Sequence, residues 1–161
     1  MFLLVIVVYI SGLLRDSADE PLRSILSGLH YSCGIAVGIL MIVRLAVRIK
    51  YRAPAIIPKP SPVITGLSHL VHLMIFVIFI LLPVPGFSIK YLNGYDWSLF
   101  GISMPVSAAP DEDLAYSIQN IHEIIANTGY FIIGLHAAAA LAHHYFRKDN
   151  TLLRMMPRKR H

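Results

Sequence analysis

His122 and His136 lie fourteen residues apart in the apolar segment NIHEIIANTGYFIIGLHAAAALAHHYF. Fourteen residues is almost four helical turns, so both imidazoles leave one face of a helix, separated by roughly 21 Å along its axis. That separation suits two stacked haems within a bilayer, each iron taking one axial imidazole from this helix. His30 lies in a second apolar segment, GLHYSCGIAVGILMIVRLAVRIKY, with Gly34 and Gly38 at i+4 and i+8. A stripe of small residues lets a flat porphyrin lie against a helix backbone, or lets two helices pack closely. Ionisable residues inside apolar helices are expensive and usually face a bundle interior or mark function.

The elements that position these histidines follow from composition. Apolar residues make up 56% of the 161 residues and charged residues 14%, which is too apolar for an ordinary water-soluble domain. The net charge is +5, but the basic residues flank apolar runs, as membrane topology requires, and give no nucleic-acid footprint. One cysteine, Cys33, excludes an internal disulfide, and no Cys-x-x-Cys-His run offers covalent haem attachment. Four apolar stretches are expected to be helical, over about 1–14, 22–47, 67–89 and 118–146. The last three can cross a hydrocarbon core, which takes about 20 residues. The first is too short and starts at Met1 with no basic flank or cleavage site. It therefore reads as the second half of a spanning helix rather than a signal peptide, in a chain whose start lies upstream.

The expected fold is an all-α, four-helix transmembrane bundle forming one unit over residues 1–161, with its first helix incomplete. Arg44, Arg48, Lys50, Arg52 and Lys59 cluster around the 2–3 link, and Arg147, Lys148, Arg154, Arg158, Lys159 and Arg160 follow the last helix. The other links hold Asp16, Asp19, Glu20, Asp96, Asp111, Glu112 and Asp113, with Arg15, Arg23 and Lys90. The positive-inside rule then puts both termini in the cytoplasm. The 2–3 link, IKYRAPAIIPKPSP, is a stiff proline-rich connector. The 90–115 link is expected to cap the outer end, with Trp97 at the interface, and the basic tail to lie on anionic headgroups.

Helices two and four both run inward, so His30 and His122 sit at similar depth and can ligate one iron from opposite sides. His136 is deeper and is expected to ligate an inner haem iron; two neutral imidazoles are typical of a low-spin b-type electron carrier. His69 and His72 either stand as interfacial polar residues or, for His72, substitute as the partner of His136. Arg44, fourteen residues after His30, either pairs with a propionate of the inner haem or snorkels; Arg48 snorkels. His143 continues the His136 stripe and could bond a quinone carbonyl or a propionate, or stand wetted at the interface. Glu123 either serves His122 or faces water. Zinc would need three or four close ligands, a transporter would show an inverted repeat, and a serine hydrolase a nucleophile elbow; none is present.

With APAIIPKPSPVITGLSHLVHL and the C-terminal IHEIIANTGYFIIGLHAAAALAHHYFRKDNTLLRMMPRKR, these segments resemble bacterial cytochrome b561 of the superoxide oxidase type, over essentially the whole chain. The resemblance implies a bacterial inner-membrane four-helix bundle with two b haems and a quinone site, passing electrons from periplasmic superoxide to ubiquinone. By position it implies His30 and His122 for the outer haem and His136 for the inner one. The family's other inner ligand, early in helix one, would fall just before Met1. The similar cytochrome subunits of hydrogenases and formate dehydrogenases imply the alternative: a relay between a partner subunit and the quinone pool.

Overall fold

The computed structural model describes residues 1–51 and 55–153. Arg52 and the tail residues Arg154, Arg158, Lys159, Arg160 and His161 lie outside the described residues, so the expectation for the tail is not addressed by them. The described chain is mostly helical: α1 (Phe2–Arg15), α2 (Leu22–Lys50), α3 (Pro62–Leu81), α4 (Pro83–Asn93) and α5 (Glu112–Tyr145). Three spans are long and apolar enough to cross a membrane: α2, the nearly continuous Pro62–Asn93, and α5. In the apolar window of α5 only 6% of the residues are buried, so its Leu, Ile and Phe faces need a lipid environment.

The helices outrun the apolar stretches because capping chemistry lies beyond them. Ser61 accepts a hydrogen bond from the Ile64 amide and Pro62 occupies the first turn, which starts α3 five residues before the apolar run at Leu67. Asp111 likewise accepts from the Leu114 amide, and Glu112 and Asp113 complement the helix dipole, so α5 starts at 112 rather than 118. The break between α3 and α4 is proline chemistry. Pro83 has no amide hydrogen to continue the ladder, although Leu82 keeps helical angles. Gly38 of α2 meets this break; an added Cβ there would sit 2.6 Å from Pro83 Cγ.

The expectation of an all-helical chain is corrected at one place. The α4–α5 link holds a small antiparallel hairpin, β1 (Ser98–Leu99) and β2 (Ile102–Ser103). Phe100 (φ 50°) and Gly101 (φ 81°) form its turn, both left-handed as a tight hairpin requires. The Phe100 amide donates to Ser32 Oγ at 3.0 Å, which ties the hairpin to α2. Trp97, expected at the membrane interface, is instead buried, edge-on to Phe87 and Tyr31 at 5.3 and 6.1 Å between ring centres. Its indole finds Pro105 O as a partner, which is what allows so large a ring inside.

The core is Val37, Met41, Phe76 and Phe79, with Leu4, Val5, Val8 and Tyr9 of α1 packed against it. Tyr9 Oη donates to Ala126 O at 2.9 Å and sits where a side chain on Gly129 would be, which docks α1 on α5. At the opposite end the α2–α3 link joins the turn after α5: Asn150 N donates to Ile57 O and Ile57 N to Asn150 Oδ1.

Candidate functional site

A cavity of about 580 Å3 opens at the end of the bundle that carries the acidic links. That volume lies within the range that holds small molecules and cofactors, about 300–1,000 Å3. His30 and His122 both line it, with ring centres 6.4 Å apart. A metal ion held between two imidazoles sets their ring centres about 6 Å apart, from two metal–nitrogen bonds of about 2 Å and about 1 Å from each nitrogen to its ring centre. The spacing of the pair therefore suits a single iron that His30 of α2 and His122 of α5 would hold between them.

The surroundings of His30 settle which nitrogen is available. Its Nδ1 lies 2.9 Å from Val8 O. A carbonyl oxygen only accepts, so Nδ1 carries the hydrogen and Nε2 keeps its lone pair for a metal. Gly12, one turn beyond Val8, leaves space for this ring; an added Cβ would stand 2.9 Å from Nδ1 and 3.0 Å from Cε1. His122 rests against Gly86 of α4 with its Nδ1 buried and unpartnered among the described residues.

The glycine stripe on α2 divides. Gly34 lines the cavity and an added Cβ there would meet nothing within 4 Å, so it leaves a flat wall for a planar ligand. Gly38 is taken up by packing on Pro83. The rim holds three cations, Arg15, Arg23 and Lys90, and two acids, Asp16 and Glu123. Arg23 Nε donates to Ala18 O at 3.1 Å, and Lys90 Nζ lies 5.1 Å from the centre of the Tyr31 ring. Glu123 takes a hydrogen bond from Gln119.

Deeper in the bundle, His136 faces His72 with ring centres 5.1 Å apart, short of the span an intervening iron needs. The two are brought together, but not with room for a metal between them. Arg44 is exposed on α2. His143 Nδ1 donates to Asp149 Oδ2 at 2.5 Å, leaving Nε2 as its one free nitrogen. Asp149 is buried, which raises its carboxyl, but hydrogen bonds from Thr151 and His143 prevail and hold it down at about 2. Among the described residues no group of three or more His, Cys, Asp or Glu could hold a metal ion. A porphyrin supplies four equatorial nitrogens itself, so two facing imidazoles suffice.

Val8 and Gly12 of α1 are missing from the sequence reading, which named only Arg15 from this helix. Val8, Gly12 and Arg15 at i, i+4 and i+7 share one face, but the apolar stretch shows no feature that separates this face from lipid-facing ones.

Apolar helices that bring two imidazoles together across a polar-rimmed cavity are the elements of a membrane haem protein. The chain belongs to the prokaryotic cytochrome b561 family, whose model matches residues 1–158. It is 47% identical over 160 residues to a probable superoxide oxidase, CybB, of Yersinia pestis, covering 99% of this chain and 91% of that protein. It is 43% identical to cytochrome b561 homolog 1 of Escherichia coli K12, covering 81% and 74%. Homolog 2 of the same organism is 27% identical, covering 80% and 69%. The family implies haem b, and the relatives support an oxidoreductase of a bacterial membrane.

Proposed function

We propose that this chain is a superoxide:ubiquinone oxidoreductase of the bacterial inner membrane. The observation that supports it most is the His30–His122 pair, spaced for one iron, with His30 Nδ1 anchored on Val8 O. Bound haem b would supply a reversible one-electron couple near the outer surface. His30 and His122 would hold the iron, Gly34 would bed the macrocycle, and the hairpin with Trp97 would keep water from its outer edge. The similarity to a probable superoxide oxidase favours superoxide as donor, and the rim's three cations against two acids give a modest field for an anion. Two superoxide anions lose one electron each to become dioxygen; ubiquinone takes both electrons and two protons to become ubiquinol.

In this reading residues 1–161 form one unit of four helices, α3 and α4 counting as one, with both termini in the cytoplasm. His136 belongs to a second, inner haem. Arg44 would meet a propionate of that haem, and His143 Nε2 a propionate or a quinone carbonyl at the basic end.

The test is ubiquinol formation from a superoxide source by the purified chain in lipid, with no other protein present. Formation at about one ubiquinol per two superoxide supports the reading. Reduced b-type bands without it, restored by a dehydrogenase partner, would make the chain a relay subunit. Absence of b-type bands overturns haem binding itself.

A further inference from the structure

Three nitrogen or oxygen atoms of the described side chains are buried without a hydrogen-bond partner, and two line this one cavity's residues: His122 Nδ1 and Arg15 Nε. An unsatisfied guanidinium nitrogen is the more demanding case, because arginine keeps its charge at any pH a protein survives. The other two rim cations are already engaged, Arg23 by Ala18 O and Lys90 by the Tyr31 ring. That same Nε lies 3.3 Å from Asp16 Oδ1, a charge contact without hydrogen-bond geometry to a side chain that is 82% exposed. Such a wet pair is worth little and leaves the rest of the guanidinium fork unspent.

The position of Arg15 is as informative as its lack of partners. It follows Gly12 by three residues on the same face of α1, about 4.5 Å further toward the polar end. Gly12 touches the His30 ring, so Arg15 stands one step outward from the place where the metal-binding imidazole is seated. Haem b carries two carboxylates on one edge, and that edge turns toward water in a membrane site because burying it unpaired is prohibitive.

Resting on the haem reading above, we infer that Arg15 is the carboxylate-binding residue of the outer site. Its guanidinium would bind a haem propionate and so hold the iron's potential up. An unpaired propionate anion favours the oxidised form, which has one positive charge more; Arg15 offsets that anion, so removing Arg15 lowers the potential only where a carboxylate is present.

The experiment compares the chain with Arg15→Gln and Arg15→Lys, each loaded in lipid with haem b or with its dimethyl ester, which has no carboxylates. The readouts are haem per chain and a redox titration of the His30–His122 haem, with helix content by circular dichroism. With haem b, Arg15→Gln is expected to lower the ferrous-to-ferric ratio about tenfold at a fixed potential, a fall of about 59 mV for one electron. Arg15→Lys should recover most of it. With the ester, all three proteins should titrate together. Loss of haem b by Arg15→Gln with normal uptake of the ester has the same meaning. An equal shift or equal loss with both ligands overturns the inference, since Arg15 would then act on the fold or the field and not on a carboxylate. Wild-type protein that takes up neither ligand overturns the haem reading, and this inference with it.

Discussion

Gly12→Ala isolates the part that α1 plays in the site. The new methyl carbon would stand 2.9 Å from His30 Nδ1 and 3.0 Å from Cε1, where ordinary contact begins at 3.4 Å. The ring must retreat by about 0.5 Å or rotate to reach a normal separation. Either motion breaks the 2.9 Å bond from Nδ1 to Val8 O, a loss of about 1 kcal/mol, and tilts Nε2 away from the axis through His122. Partners that orient a metal-bound histidine are worth about 10–100-fold in metal affinity, so affinity for the outer haem should fall by that factor. The assay is titration of apoprotein in lipid with haem, followed by Soret absorbance. Helix propensity acts in the opposite sense, since alanine favours helix over glycine by about 1 kcal/mol, so a weaker site cannot be blamed on a weaker helix. Gly28→Ala, where the added carbon meets nothing within 4 Å, is the matched control and should bind as the parent does. If Gly12→Ala binds haem as tightly as Gly28→Ala, the anchoring of His30 by α1 has no bearing on the site.

Gly34→Leu adds bulk to the cavity wall from a Cβ that meets nothing within 4 Å, so it should abolish uptake at the His30–His122 site while melting stays near that of the parent; retained haem would show that the cavity is not the site. Gly38→Ala should act the other way round, costing about 1–3 kcal/mol of stability through the 2.6 Å clash with Pro83, read as a lower melting temperature, with an unchanged spectrum in the folded fraction. His122→Ala should remove one b-type component from the reduced-minus-oxidised spectrum, and an intact spectrum would dismiss the pairing. Asp149 has a carboxyl near 2 in the folded chain against 3.8 as a free group, so the unfolded chain binds its proton more readily. Its stabilisation is complete above 3.8 and is lost as pH falls from there toward 2. Asp149→Asn should therefore speed amide exchange at Thr151 about tenfold at pH 5, from a hydrogen bond to charge worth about 1.5 kcal/mol, and the gap between the proteins should close toward pH 2. Equal exchange at pH 5 would mean that the Asp149 turn is held by other bonds.

The helices and the candidate ligands were legible in the sequence because their physics is local. A run of apolar residues has to be helical in lipid, where every backbone group must bond within its own segment. A histidine in such a run has to face something polar, so His30, His122 and His136 stood out at once. Helix ends were less legible: Ser61 and Asp111 extend α3 and α5 past the apolar runs by hydrogen bonds that a hydropathy pattern ignores.

What only the tertiary structure decided is the pairing. Sequence spacing makes His30 and His122 equal in depth; packing of α4 against both α2 and α5 is what sets them 6.4 Å apart, and packing of α3 on α5 is what closes His72 on His136 to 5.1 Å. The two neighbouring glycines of α2 are indistinguishable in the chain, yet Gly34 meets open space and Gly38 meets Pro83, because only the crossing of α4 tells them apart. Trp97 was placed by its amphipathic type at the membrane surface, but the hairpin turn at Phe100 and Gly101, bonded to Ser32, folds it over the cavity instead. Arg15 carries the same lesson: its type marks a helix end, and its meaning depends on which neighbours leave its Nε without a partner. Local chemistry chose the elements and the candidate ligands, while contacts between elements distant in sequence chose which of them face one another.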